Sequence, residues 1–210
     1  IDTWNASAHL PETLRQFTRI QPRAPRLVTE YWTGWFDAWG GEHSHSVDPE
    51  KNLFRLAGIL ATGGQFNLYM FHGGTNFGFN AGRTVGDHPQ FMTTSYDFDA
   101  PLTETGGRTR KYELSKRICS FASNFAHVLA NVEPDNQPAV VLPDENDHPP
   151  TVIQQTGDQG DVVFVMKNAR DKTSVVNLML PNGMRLPVPI GKQRVAWLLL
   201  ETNLSGVATL

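Results

Sequence analysis

The sequence predicts an α/β fold with parallel strands, joined to a small all-β module. Three observations predict it. Residues 1 to about 130 alternate between helix-period and strand-like stretches, prolines accumulate from Glu133, and beyond Pro150 only short β-rich runs occur. Alternation of this kind argues for parallel strands with helical crossovers. The 210 residues leave room for one ordinary domain and a small second one.

Leu10, Leu14, Phe17 and Ile20 recur at helical spacing around Pro11-Glu12, a favourable helix opening, and Pro22 and Pro25 end the run. Arg26 to Glu30 then reads as a short buried strand, followed by a Trp- and Gly-rich loop to about Val47. Asp48-Pro49-Glu50 supplies a cap, a first-turn proline and an early negative charge. The helix it opens has Leu53, Leu56, Ala57 and Leu60 on its apolar face, and Gly63-Gly64 stop it. Phe66 to Phe71 forms a second strand, with a long loop to about Gly107. Leu114, Ile118, Phe121, Phe125 and Val128 step by four, three, four and three, a helical stripe. Two strands do not make a stable sheet, so further strands are expected from outside this sequence.

Pro134, Pro138, Pro143, Pro149 and Pro150 mark residues 133–150 as an extended linker between a unit at 1–132 and an all-β module at 151–210. The module's expected strands are Val162–Met166, Ser174–Leu180, Arg185–Pro189 and Val195–Leu200, separated by Gly-Asp, Pro-Asn-Gly and Gly-Lys turns, as in part of a sandwich. Trp197 lies inside an apolar run and reads as a packing residue.

Composition narrows the function. Hydrophobic residues make up 40%, which suits a packed protein. The formal net charge is −3 with no basic block, so nucleic acid and anionic membrane surfaces are not expected partners. Apolar stretches fall short of the roughly 18 residues of a membrane span. Cys119 is the one cysteine, which excludes an internal disulfide and a cysteine-based zinc site. The opening Ile1-Asp2-Thr3-Trp4 reads as an internal stretch of something longer.

Glu30 is the candidate for chemistry. It stands at the expected carboxyl end of a strand, the end at which parallel α/β barrels build active sites. Tyr31, Trp32, Trp35 and Trp39 follow. Flat rings pack on the apolar face of a pyranose while a carboxylate attacks the anomeric carbon. An isolated strand-end Glu more often pairs with an Arg or caps a loop, so the surrounding words decide. Thr29-Glu30-Tyr31-Trp32-Thr33-Gly34-Trp35-Phe36-Asp37-Ala38-Trp39-Gly40 resembles the nucleophile segment of the family-35 glycoside hydrolases, chiefly β-galactosidases. Asn67-Leu68-Tyr69-Met70-Phe71-His72-Gly73-Gly74-Thr75-Asn76-Phe77-Gly78 resembles that family's final barrel strand and loop. Thr94-Ser95-Tyr96-Asp97-Phe98-Asp99-Ala100-Pro101-Leu102 resembles the segment closing over the sugar, and Lys111-Tyr112 also fits.

The resemblance implies that residues 1–132 are the C-terminal part of a (β/α)8 TIM barrel. It implies a retaining hydrolase of terminal β-galactosides with Glu30 as nucleophile, Tyr69 reaching the sugar and Trp35 in the pocket wall. In such enzymes a second carboxyl, about 5 Å away, protonates the leaving oxygen and later serves as base. Phe98, the third substrate-binding residue that the resemblance implies, stands where many relatives carry a Tyr that touches the galactose, and Ala38 where a polar residue is common. The family's acid/base, a Glu in an Asn-Glu motif upstream, has no counterpart in this sequence. Asp97, Asp99 and Glu104 read as loop-ordering or rim residues.

The implied partners are a galactoside substrate and a missing N-terminal barrel half. The implied compartment is extracellular, periplasmic or lysosomal. No cofactor is implied, because attack and protonation need only side chains. The other openings are an inactive fragment, one subunit of a split enzyme, or a carbohydrate-binding remnant. Glu42, His43 and His45 read as a solvated loop cluster rather than a metal site. His72 reads as ordering its Gly-Gly loop, and the glycines at 73, 74, 78 and 82 lack the ending of a phosphate loop. Asn5-Ala6-Ser7 and Asn203-Leu204-Ser205 are formal glycosylation patterns of the kind common by chance.

Overall fold

The computed structural model describes residues 4–6, 16, 19–43, 47–134, 138–142, 149–204 and 208–209. These are mostly β, with few helices. The predicted helix through Leu10, Leu14 and Phe17 lies outside the described residues, although Gln16, Arg19 and Ile20 are helical.

Strands β1 (Trp4–Ala6), β2 (Leu27–Trp32) and β3 (Gln65–Tyr69) form a parallel sheet in the order β1-β2-β3. Helix α1 (Pro49–Ala61) lies between β2 and β3 in the chain, as parallel pairing requires. The third strand, β1, is absent from the sequence reading: three residues are too few to show a period. β2 runs two residues further than expected, so Glu30 is its fourth residue of six rather than its last.

The register of β2 matters most. Val28 pairs with Trp4 and Phe66, and Tyr31 pairs with Ala6 and Leu68. Between those points β2 takes three steps while each neighbour takes two. The extra residue falls within Thr29-Glu30, a bulge that breaks the period-two alternation. Val28 and Tyr31, of opposite parity, are therefore both fully buried in one core against the helices. Glu30 and Trp32 are left for the opposite face. Asn67 Nδ2 donates to the Thr29 carbonyl at 3.0 Å, giving the bulged backbone a partner.

Helix α1 follows its sequence signals. Asp48 Oδ1 accepts from Lys51 N at 3.0 Å, Pro49 begins the helix, and Gly63 adopts a left-handed φ of 70° just beyond its end. Leu53, Leu56, Ala57 and Leu60 are buried as their spacing predicts. The later stripe is split. Helix α2 (Arg110–Asn124) is capped by the Thr109 hydroxyl, the chain turns at Phe125, and α3 (Ala126–Leu129) follows. Leu114, Ile118, Phe121, Phe125 and Val128 still face one core.

The remaining strands form two sheets. One has the order β10-β7-β6-β4: β4 (Val132–Pro134), β6 (Thr151–Gly157), β7 (Asp161–Met166) and β10 (Val195–Leu200), all antiparallel. The other has the order β5-β8-β9: β5 (Val140–Val141), β8 (Val175–Met179) and β9 (Arg185–Pro189). Strands β11 (Asn203–Leu204) and β12 (Ala208–Thr209) pair separately. The segment 133–150, expected to be an extended linker, thus supplies strands β4 and β5, one to each sheet. Pro187 and Pro189 sit on edge strand β9, where a missing N–H is tolerated.

Strand β7 is buried on both faces. Val163 and Val165 meet Val176, Leu178 and Val188 of the second sheet. Val162, Phe164 and Met166 turn the other way, into the core that also holds α1 and α2. Phe121 lies 6.3 Å from Phe164 and 5.5 Å from Trp197, centroid to centroid, and the Arg117 guanidinium lies 5.4 Å from the Trp197 ring. Aromatic pairs add about 0.5–1.5 kcal/mol each beyond their burial. Helices and sandwich therefore share one continuous core, and Trp197 packs within it.

Burial pushes the Tyr31 hydroxyl well above the usual phenol range, against the opposing influence of Arg55. The unfolded chain releases this proton near pH 10 while the folded chain keeps it. Folding stability from this group is therefore constant at neutral pH and falls above pH 10, by about 1.4 kcal/mol per pH unit. Tyr31→Phe is expected to flatten that alkaline slope in urea titrations at pH 9 to 11. At pH 7 it should cost about 1 kcal/mol, the usual net worth of a hydrogen bond, for the hydroxyl's bonds to Arg55 and to the Asn52 carbonyl at 3.5 Å.

Candidate active site

The bulge sets the face on which the site is built. Glu30 and Trp32 are two residues apart beyond it, so they share a side of the sheet. Trp32 Nε1 donates to Glu30 Oε2 at 3.2 Å, fixing the direction of a half-buried carboxylate. Trp32 is in register with Tyr69 on β3, which brings Tyr69 onto the same face. The Tyr69 and Tyr96 hydroxyls lie 3.2 Å apart. Burial, then the hydrogen bond and charge of Tyr69, then the Glu30 charge, push the Tyr96 hydroxyl well above the ordinary phenol range. It thus keeps its proton at neutral pH.

Phe98 joins the aromatic groups. Its ring centroid is 5.5 Å from Tyr69, 5.4 Å from Tyr96 and 6.0 Å from Trp35, and Trp35 in turn is 5.1 Å from Trp32. Trp35 is 41% exposed. Phe98 is 3% exposed. It is packed among the rings of Trp35, Tyr69 and Tyr96. Tyr96 escaped the sequence reading, although it lies within the motif that includes Phe98 and shares its parity. A tyrosine two residues before a singled-out aromatic was the available signal.

The segment 94–102 lies directly on the strand-end loops, and two glycines make this possible. A Cβ on Gly73 would stand 1.7 Å from the Tyr96 carbonyl oxygen, and one on Gly34 2.0 Å from that of Phe98. Backbone bonds join the same surfaces, with Tyr96 N donating to Gly74 O at 2.9 Å and Asn76 N to Thr94 O at 2.7 Å. Thr33, after β2, donates its hydroxyl to the Met70 carbonyl after β3 at 2.8 Å.

The nearby acids are engaged in holding loops. Asp97 accepts from the backbone N–H of Asp99 (3.2 Å) and of Glu104 (2.9 Å). Asp99 Oδ2 lies 2.5 Å from Lys111 Nζ. The Glu104 carboxylate accepts from the Ser95 hydroxyl at 2.6 Å and from the Thr75 hydroxyl; these two bonds hold it below the usual carboxylate range. His72 Nε2 meets the Glu104 carbonyl at 3.1 Å; a carbonyl only accepts, so that nitrogen carries the proton. His72 thus orders its loop, as its sequence context implies. His43 pairs with Asp37, and His45 lies outside the described residues. Among the described residues no group of three metal-ligating side chains occurs.

A parallel sheet thus carries a carboxylate at a bulge beside a group of aromatic rings, and the sequence comparisons give the family. Residues 2–122 match the family described as glycosyl hydrolases family 35, and the chain belongs to that family. It is 47% identical to the human "Beta-galactosidase-1-like protein 2" over 107 residues, 50% of this chain and 17% of that protein. It is 36% identical to the human "Beta-galactosidase-1-like protein 3" over 172 residues, 82% of this chain and 25% of the relative. With "Beta-galactosidase" of Bos taurus it shares 45% identity over 120 residues, 57% of this chain and 18% of the relative. The chain therefore spans a quarter or less of the length of these curated relatives.

Gly73→Ala is expected to lift segment 94–102 from the strand ends, because the methyl group would occupy the place of the Tyr96 carbonyl. The cost should be about 1–3 kcal/mol in stability. Limited proteolysis should cut between residues 94 and 104 sooner than in the parent protein.

Proposed function

We propose that this chain carries the nucleophile side of a retaining β-galactosidase-type site, with Glu30 as the attacking carboxylate. The observation that carries the reading is the setting of Glu30: at the β2 bulge, bonded by the Trp32 indole, with Tyr69 in register with Trp32 and Trp35 5.1 Å from the Trp32 ring. In a retaining mechanism, a Glu30 oxygen forms the ester bond to the anomeric carbon as the glycosidic bond breaks. The departing oxygen takes a proton from a second group, and water then cleaves the ester. Tyr69 and Tyr96 offer hydroxyls to the carboxylate and sugar, and exposed Trp35 offers a ring face to a pyranose. Phe98 supports that surface from behind.

The acids on segment 94–104 are tied to backbone, hydroxyl or, for Asp99, lysine partners, which favours a proton donor outside this sequence. The sheet's two outer strands, β1 and β3, have no further strand beside them among the described residues. Both features support a barrel completed by additional strands, with the acid/base on one of them. They favour a portion of a longer or assembled hydrolase over a free-standing carbohydrate-binding remnant.

Two outcomes are expected. In the protein as its source makes it, a 2-deoxy-2-fluoro-galactosyl inactivator should label the peptide containing Glu30, and Glu30→Ala should abolish both turnover and labelling. Mass mapping that finds the label on Asp97, Asp99 or Glu104 would sink the assignment. The 210-residue chain by itself should turn over a nitrophenyl galactoside at least about 10²–10⁴-fold more slowly than the assembled enzyme, the usual worth of general acid catalysis.

A further inference from the structure

We infer that Lys111 is a positioning residue of the sugar site: its ammonium fixes the Phe98-Asp99 turn, and through it the aromatic wall. The inference rests on the galactosidase reading above. Lys111 lies on the buried stripe of α2, three residues before Leu114, and is itself 3% exposed. Its Nζ donates to the Thr33 carbonyl at 2.9 Å and the Asp99 carbonyl at 2.7 Å, and it meets Asp99 Oδ2 at 2.5 Å. An ammonium has three N–H donors, so these oxygens use all of them. One belongs to the loop after β2, and two belong to the segment laid over the strand ends.

The turn being held is one that the chain resists. Phe98 and Asp99 have φ of 61° and 50°, consecutive left-handed residues without a glycine. Such a conformation persists only where the surroundings over-determine it. The surroundings here are Gly34, whose missing side chain admits the Phe98 carbonyl, Asp97, which accepts from Asp99 N, and Lys111, which binds the Asp99 carbonyl. If the clamp is removed, the backbone relaxes towards negative φ. The Phe98 ring, wedged among Trp35, Tyr69 and Tyr96, then moves with it. Packing does not explain a cation in this place: a buried ion pair is rarely more stabilising than an apolar pair of the same shape. Burial lowers the pKa of this ammonium, with Asp99 opposing the shift and Asp97 and Asp48 adding to that opposition.

The test uses the protein as its source makes it, with Lys111→Met and the double variant Lys111→Met/Asp99→Asn, which leaves no unpaired buried charge. Four quantities are read: Tm, amide exchange over residues 94–102, affinity for a galactose-configured iminosugar, and KM and kcat on a nitrophenyl β-galactoside. The expected result is a double variant with near-parental Tm and faster exchange over 94–102. Its iminosugar binding should be about tenfold weaker, with KM raised more than kcat is lowered. Parental exchange and affinity in a folded variant would overturn the inference. So would collapse of both variants at the assay temperature, which would make Lys111 a residue of global stability. The two readings fail separately: a parental protein that ignores galactosides refutes the sugar assignment, and amide exchange still reads the clamp.

Discussion

One extra residue in β2 determines how the rest is arranged. A regular strand would place Val28 and Tyr31 on opposite faces, and one of them would leave the helix-facing core. The bulge lets both stay, so the sheet seals against α1 and α2 on one side. On the other side, Glu30 and Trp32 emerge together. The same irregularity therefore settles both the core face and the face that carries Glu30. Straightening the strand would bury a carboxylate in the apolar core or expel a fully buried tyrosine, and each is costly.

The observed partner of Glu30 is an indole N–H, a neutral donor that orients the carboxylate without cancelling its charge. The other carboxylates of the region are held by backbone amides, hydroxyls or, for Asp99, a lysine. Segment 94–102 can lie this close only because Gly34 and Gly73 have no side chain where two carbonyl oxygens pass. The aromatic wall is thus supported from behind by Phe98 and from beneath by backbone.

Much of this was legible in the sequence, where the signal was local. The start, stop and apolar face of α1 follow from Asp48, Pro49, Gly63 and four spaced hydrophobics. The strands of the module announce themselves by β-rich runs between turns. The motif around Glu30 identified the family directly. What the sequence concealed is non-local. A bulge is a relation among three strands, and Val28 and Tyr31 look like a broken alternation until their neighbours are known. β1 is too short to show a period, and β4 and β5 lie in a proline-rich stretch that reads as connection. Phe98 carries no mark of burial, because its environment comes from residues 35, 69 and 96. Lys111 was the exception that could have been read: a lysine at the next step of an apolar stripe has to find oxygens.

The sandwich bears on the site through α2. Lys111, in the first turn of that helix, grips the loops around the aromatic wall. Phe121, ten residues and about 15 Å along the axis, packs on Phe164 and Trp197 of the sandwich. A helix embedded this way cannot shift its first turn without disturbing its last. Because β7 is buried on both faces, Phe164 is in turn held by the second sheet behind it. The β module is therefore joined through α2 to the loops that Lys111 binds beside Glu30.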